Sequence, residues 1–173
     1  MEAVAGIHRD AVLPRFHART FTKRAESAPP TVNRAAPAYG RKAVLYATCF
    51  VEYNNPGIGV AAQAVLARNG VETATLYPTC CGMPQLERGD IDAVCERAER
   101  IAAGFGAWID EGYDVVSLIP SCTLMLKSIW PLYLPDDPAV SRLAAHTSDI
   151  VDYIVSIARR EGLAEGLAPL KGG

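Results

Sequence analysis

Lys42-Ala-Val-Leu-Tyr-Ala-Thr-Cys-Phe-Val-Glu-Tyr-Asn-Asn-Pro-Gly-Ile-Gly59 decides the fold of this chain. An apolar, β-prone run ends at Cys49, and Asn55-Pro56 then supplies a helix cap and a first-turn proline. Residues 57–68 are Ala-rich and helical, and Asn69-Gly70 stops them. The same plan returns twice. Thr73-Ala-Thr-Leu-Tyr-Pro-Thr79 runs into Cys80-Cys81-Gly82, and Val115-Val-Ser-Leu-Ile-Pro-Ser121 runs into Cys122. Three strand ends therefore carry four thiols. Asp90 caps a helix with an apolar stripe through Ile91, Val94, Cys95, Ala98, Ile101 and Ala102. Ser121 caps a short helix ending at Ile129, ahead of Pro131. Asp137-Pro138 opens another, and a last one runs from about Asp149 to Glu161. The order β-α-β-α-β-α-α predicts a three-layer α/β fold. It is a short parallel sheet of three or four strands with helices on both faces, preceded by an irregular leader.

The 173 residues suffice for one domain with a core. The division expected is a Pro-containing basic leader over 1–40, a cysteine-rich domain over 41–162 and a loose tail over 163–173. Half the residues are apolar and 21% are charged, an ordinary globular balance. No apolar run reaches the roughly 18 residues of a membrane span. Met1-Glu-Ala-Val-Ala-Gly-Ile-His8 lacks the basic start and apolar stretch of a signal peptide. The expected location is the cytoplasm, with the five cysteines reduced or metal-bound. Net charge is −2, but residues 1–42 hold eight Lys/Arg against three Asp/Glu. That arm has no aromatic platform and no sustained basic run, so no nucleic-acid partner is expected.

In a parallel α/β sheet the loops after the strands gather at the carboxyl edge, where ligands bind. Cys49, Cys80, Cys81 and Cys122 all fall in such loops, a placement suited to a soft metal or a redox reaction. Cys122 lies in a helix's first turn and Cys49 just before one, and both positions favour thiolate, the form that binds iron or zinc. Cys95 lies on a helix stripe and reads as core. His8, His17 and His146 lack ligand spacing to the thiols. Gly57-x-Gly59 lacks the third glycine of a nucleotide loop. Glu52, Tyr53 and Asn54 could shape a pocket beside Cys49, and Lys127 could offset thiolate charge.

The spacing of Cys49, Cys80-Cys81-Gly82 and Cys122, thirty and then thirty-nine residues apart, resembles the cysteine-rich CCG domain. That domain occurs in heterodisulfide reductase, in anaerobic glycerol-3-phosphate dehydrogenase and in the iron–sulfur subunits of glycolate and lactate oxidases. Ala47-Thr-Cys-Phe-Val-Glu-Tyr-Asn-Asn-Pro-Gly-Ile-Gly59, Cys80-Cys-Gly-Met-Pro84 and Pro120-Ser-Cys-Thr-Leu-Met-Leu-Lys127 resemble the iron–sulfur subunit of the anaerobic glycerol-3-phosphate dehydrogenase branch. The resemblance implies an iron–sulfur electron-transfer module of a multi-subunit oxidoreductase, non-catalytic in itself. Cys49, Cys80, Cys81 and Cys122 would be the ligands of a cluster, 4Fe–4S in type. The implied partners are a flavoprotein dehydrogenase subunit, a second CCG repeat and a ferredoxin-like domain. Electrons would pass to a quinone or thiol acceptor, at the inner face of the membrane through those partners. A structural zinc site on the same thiolates, or a metal-free thiol or interaction module, are the alternatives. Two departures stand out. Many members end the motif in Cys-x-x-Cys, whereas Cys122-Thr-Leu-Met125 stands here, with Met125 expected in the core. The chain also holds one CCG repeat and no ferredoxin-like cysteine run, so it reads as a single-repeat fragment with an apolar patch beside the cysteine edge.

Overall fold

The computed structural model describes residues 6, 8 and 10–166. Its elements are α1 (Phe21–Ser27), β1 (Lys42–Tyr46), a π-helical turn (Phe50–Asn54), α2 (Pro56–Arg68), β2 (Glu72–Leu76), α3 (Met83–Glu87) and α4 (Ile91–Asp110). There follow β3 (Asp114–Ser117), α5 (Pro120–Leu124), a second π-helical turn (Met125–Ile129), α6 (Trp130–Tyr133), α7 (Pro138–His146), β4 (Thr147–Asp149) and α8 (Ile150–Arg160). The four strands are all parallel, in the order β2-β1-β3-β4. Tyr46 stands level with Leu76 and with Ser117, which stands level with Asp149, so the strands end along one row.

Strand alternation sorts the core into two layers. Val44, Tyr46 and Val115 face α4 and α7, against Ile101, Phe105 and Leu143. Ala43, Leu45 and Val116 face the other way, onto Phe21 of α1, Leu66 of α2 and Ile157 of α8. This is the three-layer α/β arrangement the element order predicts. Asp90, Asp137 and Asp149 cap α4, α7 and α8, each accepting a first-turn backbone N–H, and each such cap stabilises by about 1 kcal/mol.

Several local expectations are corrected. Pro131 does not end the helix begun near Ser121. The wide turn at 125–129 restarts it, and Pro131 falls in the first turn of α6, where its missing N–H is no loss. Pro120 rather than Ser121 opens α5, with Ile119 as its cap residue. The leader, expected to be irregular, carries α1, and Phe21 is fully buried. Gly59 makes this possible: a Cβ there would lie 2.4 Å from the Phe21 ring. Burying a phenyl ring contributes about 2–3 kcal/mol, more than enough to hold a seven-residue helix that would not form alone. The start of the tail is also anchored. Ala164 N–H donates to Asn69 Oδ1 at 3.0 Å, and Arg68 reaches the carbonyls of Glu165 and Gly166. The remainder of the expected tail, 167–173, and residues 1–5, 7 and 9 of the leader lie outside the described residues. Among the described residues no helix is long and apolar enough to cross a membrane.

Candidate thiol site

Cys49 follows β1 by three residues and starts the 50–54 turn, whose Glu52 N–H donates to Thr48 O at 2.8 Å. Cys80 and Cys81 follow β2, and Gly82 behind them takes φ +88°, a conformation that L side chains rarely adopt. A Cβ at Gly82 would press on Arg97 Cδ at 3.3 Å, so this turn sits directly on α4. Cys122 lies in the first turn of α5, its N–H donating to Ile119 O. Each loop thus leaves its strand at the same edge, beside the β1–β3 pair where the chain reverses its direction of travel across the sheet.

The four thiols meet there. Cys81 Sγ donates to Cys122 Sγ at 3.3 Å. Cys80 lies close enough to Cys49 and Cys81 for both to act on its pKa. Cys122 acts on Cys49 and Cys80 acts on Cys122, so the four sulfurs form one group. The mouth pair, Cys49 and Cys80, is half-buried, and the inner pair, Cys81 and Cys122, is buried. Among the described residues, no three His, Cys, Asp or Glu side chains are grouped as a single metal ion would need.

The thiols shift one another. Cys49 and Cys81, joined by the Gly82 N–H and the Arg97 cation, hold the Cys80 thiol well below its usual range. Cys122 is lowered by Cys81 and by Ser121. Cys49 is pushed up chiefly by Cys80 and Cys81 chiefly by Cys122, and burial adds to both. Of the two positions expected to favour thiolate beside a helix, Cys122 is lowered, through Cys81 rather than the helix, and Cys49 is raised.

Three residues that the sequence does not single out build the surroundings. Tyr46 OH donates to Thr79 O at 2.7 Å, tying the Cys80 loop to the strand beneath it. Burial and the three thiols Cys81, Cys122 and Cys80 raise its own pKa. Tyr77, raised by burial and Cys49, stands edge-on to Tyr53 at 5.6 Å. Arg97 Nη1 donates to Thr79 Oγ1 at 3.0 Å. A signal for the two tyrosines is present as a repeated word, Tyr46-Ala-Thr-Cys49 and Tyr77-Pro-Thr-Cys80.

Glu52, Tyr53 and Asn54 act as a grip for the leader. Glu52 is buried and accepts from Thr22 N–H and Thr22 Oγ1, Tyr53 O accepts from His17 N–H, and Asn54 Nδ2 donates to Arg15 O. Other candidates stand apart. Cys95 is half-buried beside Asp92 and Glu99 and not in the core as expected, although Ala102 and Ile109 further along the same face of α4 are buried. Lys127 Nζ donates to Thr147 O rather than approaching the thiols. Met125 is fully buried, while Leu124 beside it is half exposed, as is Phe50 next to Cys49. His146 is exposed at the end of α7, and His8 lies beside Asp10.

A parallel sheet whose strand-end loops bring four thiols together, two of them in a Cys-Cys-Gly turn, defines a class. Residues 43–127 are a cysteine-rich (CCG) domain, matching the model of that family over that span. Among known proteins the chain is similar to lactate utilization protein A of Bacillus velezensis, 32% identical over 123 residues, which are 67% of this chain and 49% of that protein. A fumarate reductase (CoM/CoB) subunit of Methanothermobacter marburgensis is 30% identical over 96 residues, 54% of this chain and 19% of that protein. An anaerobic glycerol-3-phosphate dehydrogenase subunit of Escherichia coli (strain K12) is 27% identical over 142 residues, 79% of this chain and 34% of that protein. The chain spans about half the length of the first of these and less of the others. No solved structure matches it.

Proposed function

We propose that the chain is an iron–sulfur electron-transfer module of a multi-subunit oxidoreductase, with Cys49, Cys80, Cys81 and Cys122 as the thiolate ligands. The observation that carries this is the gathering of four thiols at the carboxyl edge of the sheet, with the Cys81 and Cys122 sulfurs 3.3 Å apart. Thiolates are the donors that iron–sulfur clusters take. Such a cluster, when bound, supplies a site that gains and loses single electrons without bond-making at the protein.

The chain's own residues do the rest. Thr79, held from below by Tyr46 OH and from the side by Arg97, keeps the Cys80-Cys81 turn in place. The arginine cation lies close enough to favour negative charge at Cys80. Burial of Cys81 and Cys122 excludes water from the inner half. Half-burial of Cys49 and Cys80 leaves a short path to the surface. The partners proposed are a flavoprotein dehydrogenase as donor, with a second CCG repeat and a ferredoxin-like domain. The acceptor proposed is a quinone or a thiol, and the place the cytoplasm or the inner membrane face. Two of the relatives are by name subunits of larger enzymes, which supports an assembly.

Purification without oxygen, followed by iron, sulfide and zinc analysis and electron paramagnetic resonance, tests the proposal. Brown protein with iron and sulfide in equal amounts is expected. Colourless protein with one zinc ion per chain would overturn it.

A further inference from the structure

We propose that the leader sets the thiol site: Thr22, acting through the buried carboxylate of Glu52, is a positioning residue for Cys49. Glu52 is 4% exposed and lies inside the turn that Cys49 begins. Its backbone N–H donates to Thr48 O at 2.8 Å, so the turn closes around Cys49. Thr22 N–H donates to Glu52 Oε2 at 3.0 Å, and Thr22 Oγ1 donates to Oε1 at 2.7 Å. That hydroxyl has one proton to give, so Thr20 Oγ1, 3.2 Å away, is the donor to Thr22 Oγ1. Among the described residues no cation is paired with Glu52. Thr22 thus supplies the two hydrogen bonds that offset the cost of burying this carboxylate.

The leader and the turn are joined at three consecutive residues. Beside Glu52, Tyr53 O accepts from His17 N–H at 2.8 Å and Asn54 Nδ2 donates to Arg15 O at 2.9 Å. Phe21, next to Thr22, is fully buried and packs on Gly59 of α2, the helix that follows the turn. Withdrawal of Thr22 leaves Glu52 two outcomes. Its charge stays buried without partners, or the turn opens to hydrate it and carries Cys49 along. The loss of one hydrogen bond to a charged group shifts such an equilibrium by roughly tenfold or more. The other thiol loops have separate supports. Tyr46 and Arg97 hold Thr79 before Cys80, and Cys122 N–H donates to Ile119 O. The effect therefore falls on Cys49. The coupling rests on these bonds alone, and its bearing on iron uptake rests on the function proposed above.

The test is the rate at which N-ethylmaleimide alkylates each thiol of the metal-free full chain, read by peptide mass spectrometry. Thr22→Val keeps the N–H and removes the hydroxyl donor. Cys49 should then react about tenfold faster than in the parent, while Cys122 and Cys95 change little. Thr22→Ser should restore the parent rate. Gly59→Ala displaces α1 from the other side, without touching Thr22 or Glu52, and should give the same selective rise. After anaerobic reconstitution, Thr22→Val should hold iron about tenfold more weakly. Cys49 reacting at the parent rate in both Thr22→Val and Gly59→Ala, a rise shared equally by Cys122 and Cys95, or no rescue by Thr22→Ser would overturn the proposal. A selective, rescued rise at Cys49 in a chain that takes up no iron would sink the cluster reading and leave this one standing.

Discussion

The two edges of the sheet are built from opposite chemistries. At the amino edge the charges of Arg41, Lys42 and Glu72 each meet a partner. Arg41 grips Glu161 with two nitrogens and Ser156 with the third. Lys42 lies over the Tyr113 ring, whose OH donates to Glu72 at 2.8 Å. At the carboxyl edge the thiols gather, Cys81 donating to Cys122, and a neutral tyrosine lies beneath them. A closed network of matched charges stabilises and has nothing left to bind. A group of thiols gains from a soft ligand. The contrast separates the edge that holds the fold from the edge that does its work.

The largest effect should come from the four gathered thiols. Cys81→Ser should lower bound iron by more than the roughly 10–100-fold typical of changes outside the ligand shell, while Cys95→Ser changes it little. Equal losses in both, measured by iron content after anaerobic reconstitution, would erase the distinction between that group and an ordinary half-buried thiol. Gly59→Ala comes next. Its Cβ would strike Phe21, expel α1 from the core and lower unfolding stability by about 2–3 kcal/mol, seen in a urea titration. Arg97→Ala and Arg41→Ala sharpen the comparison directly. The first should weaken iron binding about tenfold through the freed Thr79 with little change in stability. The second should cost about 1 kcal/mol of stability and leave iron binding alone. An exchange of those outcomes would refute the division of labour.

The smallest effect is in pH. Folded Cys49 and Cys81 have raised pKa values, so they hold protons that the unfolded chain releases above the ordinary thiol value of about 8.5. The metal-free protein should therefore lose stability as pH climbs from that value. Cys80 and Cys122, whose values are lowered, are ionised in both states there and add no slope. Urea midpoints at two alkaline pH values, with Cys81→Ser flattening the fall, check the sign.

The parallel sheet and the edge it presents were legible because each β-prone run stops at a turn holding a cysteine. The Asp caps were equally plain, since capping is a local property. What escaped depends on contacts far apart in sequence. Phe21 needs Gly59, thirty-eight residues on, to have anywhere to go. Arg97 faces the Cys-Cys-Gly turn only because Gly82 turns the chain back onto α4. The strand 147–149 is three residues of Thr, Ser and Asp, with no apolar alternation to announce it. Cys95 reads as core from periodicity, yet it is only half-buried while Ala102 and Ile109, one and two heptads further on the same face, are buried.

The most direct test of the central claim is X-ray absorption at the metal edge of the anaerobically reconstituted chain. The account predicts iron with a first shell of sulfur only and a second shell of iron. Four sulfurs at about 2.3 Å around zinc, with no metal neighbour, would contradict it.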